Sequence, residues 1–516
     1  MQATISMRTG LRRSISALTP TDLLCVSLAA LLLVAWCTGI LHESFDHDEF
    51  EHSHVAWLIA HGRRPFYDFF ECHTPFQWYP LALVLRLFGD RYGALFLFRI
   101  LTALGHLAFF VAIACNASLS RDRAQPTPTT RVDFARLFIP ALVVIAGHPL
   151  ILRYLIEFRT DAWPNALLLF AVYRYRSSRR DALRSSAELG FLAGLAIACS
   201  PKLLVFAASF VGFALLAGAR PQLNADPRAA RAAGFAVGGA AAIAAVLILL
   251  LALGFDPRVV FRLSIVYHHE LNRHGGFGHG LVRSVWDHRV LLAIVVASAV
   301  ACVAQLRTRL LSHPFESATI VFLGAQLLLV SLPNKQYYGP WFLMGLGLVP
   351  YLELAVVRVR PVRSLLVAVA VVYGASNIIE YHRQVQEPIA AREISQRQQL
   401  LDLVPEGGSV VVSMERHPLF RADTLYHIQS SSAPSGYGTN RIMRAMNLQP
   451  FAARFSPEVY SREMEQRPPH LIVPTGWFTP EQALAINSFL ARHRTEYRRV
   501  EASLGPTFVR EPAPTP

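Results

Sequence analysis

From about residue 20 to residue 382 the chain repeats one pattern: apolar runs of roughly 13 to 26 residues separated by short polar connections. The runs fall at about 22–42, 93–118, 134–152, 161–176, 188–201, 203–219, 232–254, 288–306, 317–333, 338–357 and 364–382. They predict an all-α polytopic membrane bundle of about 11 transmembrane helices in a domain spanning 1–382. The stretch Thr74–Gly89 is shorter, with aromatics at one end and Arg86 inside it, and reads as an amphipathic or re-entrant helix on the outer surface. The first outer loop then runs from 43 to 92. Beyond residue 383 the pattern changes. "GGSVVVSME" and "PHLIVPTG" read as short strands, and "TPEQALAINSFLARH" as a helix with Thr479 as N-cap, Pro480 in the first turn and Gln482 completing a capping box. Strands alternating with helices predict a small soluble α/β domain over 383–516, with "EPAPTP" as a disordered end.

Charge fixes the orientation this pattern implies. The connections "SLSRDRAQPTPTTRVDFAR", "RYRSSRRDALRS", "GARPQLNADPRAARAA", "RTRLLSHPFES" and "RVRPVRS" all carry arginine and all fall on one side if 74–89 does not cross. The N-terminus is then cytoplasmic and the C-terminal domain periplasmic. Trp36, Trp163, Trp286 and Trp341 fall near outer span ends, as an interfacial belt does. The net charge of +14 is therefore a matter of topology and not of nucleic-acid binding. With 53% hydrophobic and 16% charged residues, a soluble protein is excluded. Of six cysteines, only Cys72 lies in a polar loop, so the sequence carries no disulfide framework and no paired-cysteine metal motif. The basic N-terminus followed by a long apolar run predicts an uncleaved signal anchor.

Four outer loops hold the candidate chemistry. The first contains "SFDHDEFEHSH", where Asp46 and Glu49 fit a capping box, while Asp48 and His52, four apart, share a helical face at the membrane boundary. Ionisable groups held there are costly and tend to mark function. The second, "HPLILRYLIEFRTDAWPN", carries Arg153, Glu157, Arg159 and Asp161; Asp161 suits a helix N-cap, and arginines on an outer loop suit an anionic ligand. The third, "SLPNKQYYGPWF", places Lys335, Tyr337 and Tyr338 at the surface, as snorkelling and belt residues or as ligand contacts. The fourth holds His268, His269, His274 and His279 without HExxH or other regular metal-ligand spacing.

The order of "DE" after the first span, "GRRPFYDFFECHTPFQWYPLALVLRLFG", "EFRTDAWPNALLLF", "GFLAGLAIACSPKLLVF" and "NKQYYGPWFLMGLGLVP" resembles membrane glycosyltransferases of the GT-C class. The resemblance is to the bacterial branch related to protein O-mannosyltransferases and the lipid A aminoarabinose transferase, over roughly residues 20–380. It implies transfer of a sugar from a polyprenyl phosphate carrier to a lipid, glycan or protein acceptor at a bacterial inner membrane, with inversion. It places catalysis on Asp48 and Glu49, with Asp161 as a third acid. Phosphate binding is implied for Arg159 and Lys335, with Arg153 and Tyr338 beside them and His52 and His73 as support. At the family's "TKG"-like step Ser200 replaces Thr and Pro201 intervenes, so Lys202 is assigned no role, and neither is Glu51.

Elementary chemistry agrees with this assignment. A base must take the acceptor proton, and burial at the membrane surface is expected to raise the basicity of Asp48. Positive charge from Arg159, Lys335 or a divalent cation must meet the leaving phosphate. A transporter would instead place its charges in mid-span, and an assembly protein would leave the clustered acids and cations unexplained.

Overall fold

The computed structural model describes residues 19–124, 131–178, 181–217, 227–274, 280–329, 335–356, 367–425, 457–474, 476, 478 and 480–511. Helix α1 (Pro20–His42) starts where Thr19 and Asp22 close a capping box and Pro20 fills the first turn. Its side chains Leu23, Val26, Leu33 and Val34 face outward, as a lipid-facing helix requires. The first long loop, 43–92, then folds into α2 (His47–Ala60) and α3 (Trp78–Phe88). At about 1.5 Å per residue, the 11 residues of α3 are too short to cross a bilayer; its polar end is tied down where Arg86 donates to the Ala60 carbonyl at 3.0 Å.

The bundle continues through α4 (Gly93–Ala124), α5 (Arg131–Ala146), α6 (Pro149–Ile156), α7 (Ala162–Ser177), α8 (Ala182–Cys199), α9 (Leu204–Ala217) and α10 (Pro227–Ala252). Three short helices follow, α11 (Pro257–Phe261), α12 (Tyr267–His274) and α13 (Gly280–Asp287), then α14 (Arg289–Leu306), α15 (Pro314–Leu329), α16 (Lys335–Gly345), α17 (Val349–Val356) and α18 (Ala375–Gln384). Each of the eleven apolar runs is helical over most or all of its described residues. Among the described residues, five helices are long and apolar enough to cross a membrane: α1, α4, α8, α10 and α14.

The run at 134–152, expected as one straight span, is broken. Residues 138–146 and 149–156 meet at 84°. Pro149 has no N–H to give to residue 145 and disfavours helix at His148, while Gly147 packs so tightly on the Val143 carbonyl and Ile378 that a Cβ would overlap both. The bend turns the next residues, Glu157 to Asp161, back toward the start of α2.

The C-terminal region begins with α19 (Ile389–Asp402) and includes α20 (Pro457–Gln466) and α21 (Pro480–Arg492) around a five-stranded sheet. The strands are β1 (Ser409–Val411), β2 (Ala422–Asp423), β3 (Leu471–Ile472), β4 (Tyr497–Ala502) and β5 (Gly505–Arg510), in the order β2-β1-β3-β5-β4. β1 pairs parallel with β2 and β3, and β5 runs antiparallel to β3 and β4. Both expected strands and the expected helix are present, while Thr479, its expected cap, and all but Glu511 of the end expected to be disordered, 511–516, lie outside the described residues. The sheet region packs on the first outer loop: Phe50, Trp57 and Phe69 share one buried cluster with Leu419 and Phe420.

Candidate active site

Asp46 caps α2 as its sequence implies: its carboxylate accepts the Asp48 N–H at 3.0 Å, and Glu49 returns a bond to the Asp46 N–H at 2.9 Å. Glu49 has a second duty. It is 1% exposed and takes a two-pronged contact from Arg99 of α4, Nε to Oε1 at 2.8 Å and Nη2 to Oε2 at 2.7 Å, while the Phe158 N–H reaches Oε1 at 3.0 Å. Arg99 also donates to the carbonyls of Ile40, Glu43 and Ser44 at 3.2, 2.9 and 2.8 Å. The two acids that the resemblance treats as a catalytic pair thus point to different partners. Glu49 is engaged by the scaffold on both oxygens; Asp48 turns the other way.

Asp48 meets Arg159, whose Nη1 donates to Asp48 Oδ2. The same guanidinium donates from Nε and Nη2 to Glu157 Oε2 at 3.0 and 2.7 Å and lies 3.5 Å from Asp46. His47 approaches the other oxygen of Asp48 at 2.9 Å. Burial would raise the Asp48 carboxyl out of the usual range, but Arg159 and His47 outweigh it and hold Asp48 well below that range. The expectation of a base made stronger by burial is thereby overturned for this state, because the compensating cation lies in direct contact. Burial alone would lower the His47 imidazole; Asp48 and Asp46 outweigh it and raise it.

Asp161 stands at the start of α7 but its side chain makes no cap bond. It accepts from Ser200 Oγ at 2.7 Å and from Lys202 Nζ at 2.8 Å. Burial would raise its pKa, but Lys202 and Ser200 outweigh it and hold the carboxyl below its ordinary range. Lys202, given no role in the sequence, is therefore the partner of the second acid. Pro201 does not spoil this placement: it opens a short 3-10 turn at 201–203 that presents Lys202 next to Ser200.

Between the two acid–cation pairs lie the histidines. His52, 3% exposed, contacts the rings of His73 at 5.5 Å and Trp78 at 4.5 Å. Its imidazole is driven well below the usual range by burial first and by His73 second. His73 Nδ1 sits 2.8 Å from Glu71 Oε1, and its charge also acts on Asp161. His268, on the distant fourth loop, lies 5.4 Å from His73, and burial with the nearby His73 and Lys202 charges pushes it down to about 3. Cys72, His73 and His268 bring their donor atoms within 4.8 Å of one another. This thiol–imidazole set could hold a borderline-soft ion such as zinc and suits neither calcium nor magnesium. Spacing along the chain hid it, because its members come from loops nearly two hundred residues apart.

The remaining candidates are placed elsewhere. Arg153 faces Glu43 at 3.5 Å. Tyr338 packs on the ring of His288 at 5.7 Å. Lys335 opens α16, and its side chain, with those of His274 and His279, lies outside the described residues.

No family model matches this chain, and no curated protein sequence matches it. Its fold does match a solved one. The crystal structure of ArnT from Cupriavidus metallidurans bound to undecaprenyl phosphate superposes with a TM-score of 0.60, at 12% sequence identity, over 95% of this chain and 98% of that one. The chain therefore has the fold of a GT-C membrane glycosyltransferase, a helical membrane bundle carrying a small sheet at its C-terminal end.

Proposed function

We propose that the protein is a membrane glycosyltransferase that moves a sugar from a polyprenyl phosphate carrier to a lipid, glycan or protein acceptor on the periplasmic face of a bacterial inner membrane. The observation that carries this reading is the pair of part-buried acid–cation contacts, Asp48 with Arg159 and Asp161 with Lys202, flanking His52 and His73. The undecaprenyl phosphate bound to ArnT supports a polyprenyl donor.

In this mechanism the donor phosphate competes for the cations. As Arg159 turns to the phosphate, Asp48 loses the charge that depresses it, and burial then raises its basicity. The acceptor oxygen attacks the anomeric carbon, its proton passes to Asp48, and the carbon–oxygen bond to the phosphate breaks with the electron pair leaving on the phosphate. Lys202 and Arg159 meet the charge that develops there, and the family resemblance adds Lys335 as a further phosphate contact. A single displacement of this kind inverts the sugar.

The test is transfer from a labelled polyprenyl phosphate sugar in nanodiscs, at equal folded concentration. Asp48→Asn should lower turnover by about two to four orders of magnitude, the usual worth of a general base. Arg159→Ala should weaken donor binding chiefly, since charge-assisted contacts are worth about 1.5–3 kcal/mol. Parental turnover in Asp48→Asn would reject the assignment of the base.

A further inference from the structure

The C-terminal region grips α2 at three levels. Ahead of the helix, the Phe45 N–H donates to Glu393 Oε2 at 2.8 Å. Near its first turn, the Arg397 guanidinium lies 3.4 Å over the centre of the Phe50 ring and is itself held by the Glu415 carbonyl. One turn further on is a closed ring of polar contacts. His54, fully buried, places Nδ1 at 2.6 Å from the Leu419 carbonyl and Nε2 at 2.7 Å from Asp423 Oδ2. His417, also fully buried, faces the other Asp423 oxygen from Nε2 at 3.2 Å and accepts the Leu419 N–H at Nδ1, at 2.9 Å. Leu419 offers both backbone groups at once by adopting a positive φ of 63°, a conformation disfavoured for a leucine that the surrounding contacts must hold.

His54 faces two acceptors, and His417 accepts the Leu419 N–H at Nδ1, which leaves its Nε2 on the side of Asp423. The ring is a bolt between two parts of the chain.

Asp48 and His54 are six residues apart, about 9 Å along the helix. On its opposite flank α2 is tied to the membrane helix α4 by Glu49 and Arg99. Without the C-terminal grip, α2 keeps its packing on α3 and its tie to α4 but loses the contacts on its remaining flank, and a small shift of the helix there carries Asp48 out of register with the Arg159 guanidinium. We infer that the C-terminal region is a positioning element for α2, and that Glu393, Arg397 and the His54–Asp423–His417 ring hold Asp48 in register with Arg159. This deepens the transferase reading and rests on it. None of these residues touches Asp48, so each is a positioning residue.

The experiment uses the full-length protein in nanodiscs with Asp423→Asn, Glu393→Gln and Asp423→Glu. It measures hydrogen exchange of the amides in 47–60, binding of polyprenyl phosphate, and turnover of a labelled donor. Asp423→Asn and Glu393→Gln should each speed exchange in α2 and lower kcat by about 10- to 100-fold, as small misplacements of a reacting group do, with donor binding changed less than about twofold. Asp423→Glu should recover part of both. Chelation should leave α2 exchange unchanged. Unaltered α2 exchange in both loss variants, a loss confined to donor KM, or loosening of α2 by chelation alone would each overturn the inference. A parental protein that binds polyprenyl phosphate but transfers no sugar would count against the transferase reading, while the exchange measurement would still decide whether the clamp exists.

Discussion

Asp48 and Arg159 set the behaviour of the site with pH. The Asp48 carboxyl is held well below its ordinary range, so in the ligand-free protein it stays charged as the pH falls to and through that range. Arg159→Met removes the largest lowering influence and leaves burial to act, which raises the carboxyl. The acid limb of the kcat/KM profile should therefore move to higher pH in Arg159→Met, and a limb that stays in place would show that Arg159 does not control Asp48. Asp161 follows the same sign: its contribution to stability is present above the ordinary carboxylate range, near pH 3.9, and is lost as pH falls through its lowered folded value. Lys202→Met should shift that acid unfolding to higher pH. At this scale the sequence was partly legible. Asp48, Arg159 and Asp161 stand out because charges at span ends break the apolar pattern. Lys202 was noticed only through the family's motif, and Arg99 not at all, since each sits at or inside an apolar run and acquires its meaning only from a partner 41 and 50 residues away.

Among elements, α2 is the one that joins the membrane helices to the C-terminal region. Its buried tie to α4 through Glu49 and Arg99 is enclosed on both sides, at 1% and 0% side-chain exposure. Removing one partner of such a pair strands the other, a loss of about 3–5 kcal/mol. Arg99→Met should therefore lower the midpoint of thermal unfolding in detergent far more than Arg153→Met, whose half-exposed contact with Glu43 lies at 3.5 Å. Equal midpoints would show that the buried pair is dispensable. The membrane helices were readable from hydrophobic length, and the broken run at 134–152 carried its signal openly in Gly147, His148 and Pro149, a triplet that continuous hydrophobicity overrode. The hairpin of β4 and β5 was missed for another reason. β4 runs along the sheet edge with mostly exposed charged side chains, so it lacks the apolar alternation that marks a half-buried strand.

For the whole molecule, the arginine pattern predicts that residues after about 400 lie outside. A periplasm-dependent reporter fused there should be active, and activity of a cytoplasm-only reporter at the same place would reverse the topology. The bend between α5 and α6 carries its own consequence for how the molecule comes into being. During synthesis, residues 134–152 emerge as one hydrophobic stretch that can enter the bilayer as a single segment. The tight seat of Gly147 against Ile378 forms only after the chain has grown from 147 to 378, a further 231 residues. At about 5–20 residues per second that is a delay of roughly 12 to 46 s. The loop that delivers Arg159 and Asp161 thus cannot settle until nearly the last membrane helix is made, so a ribosome-bound chain lacking that helix should be inserted yet inactive.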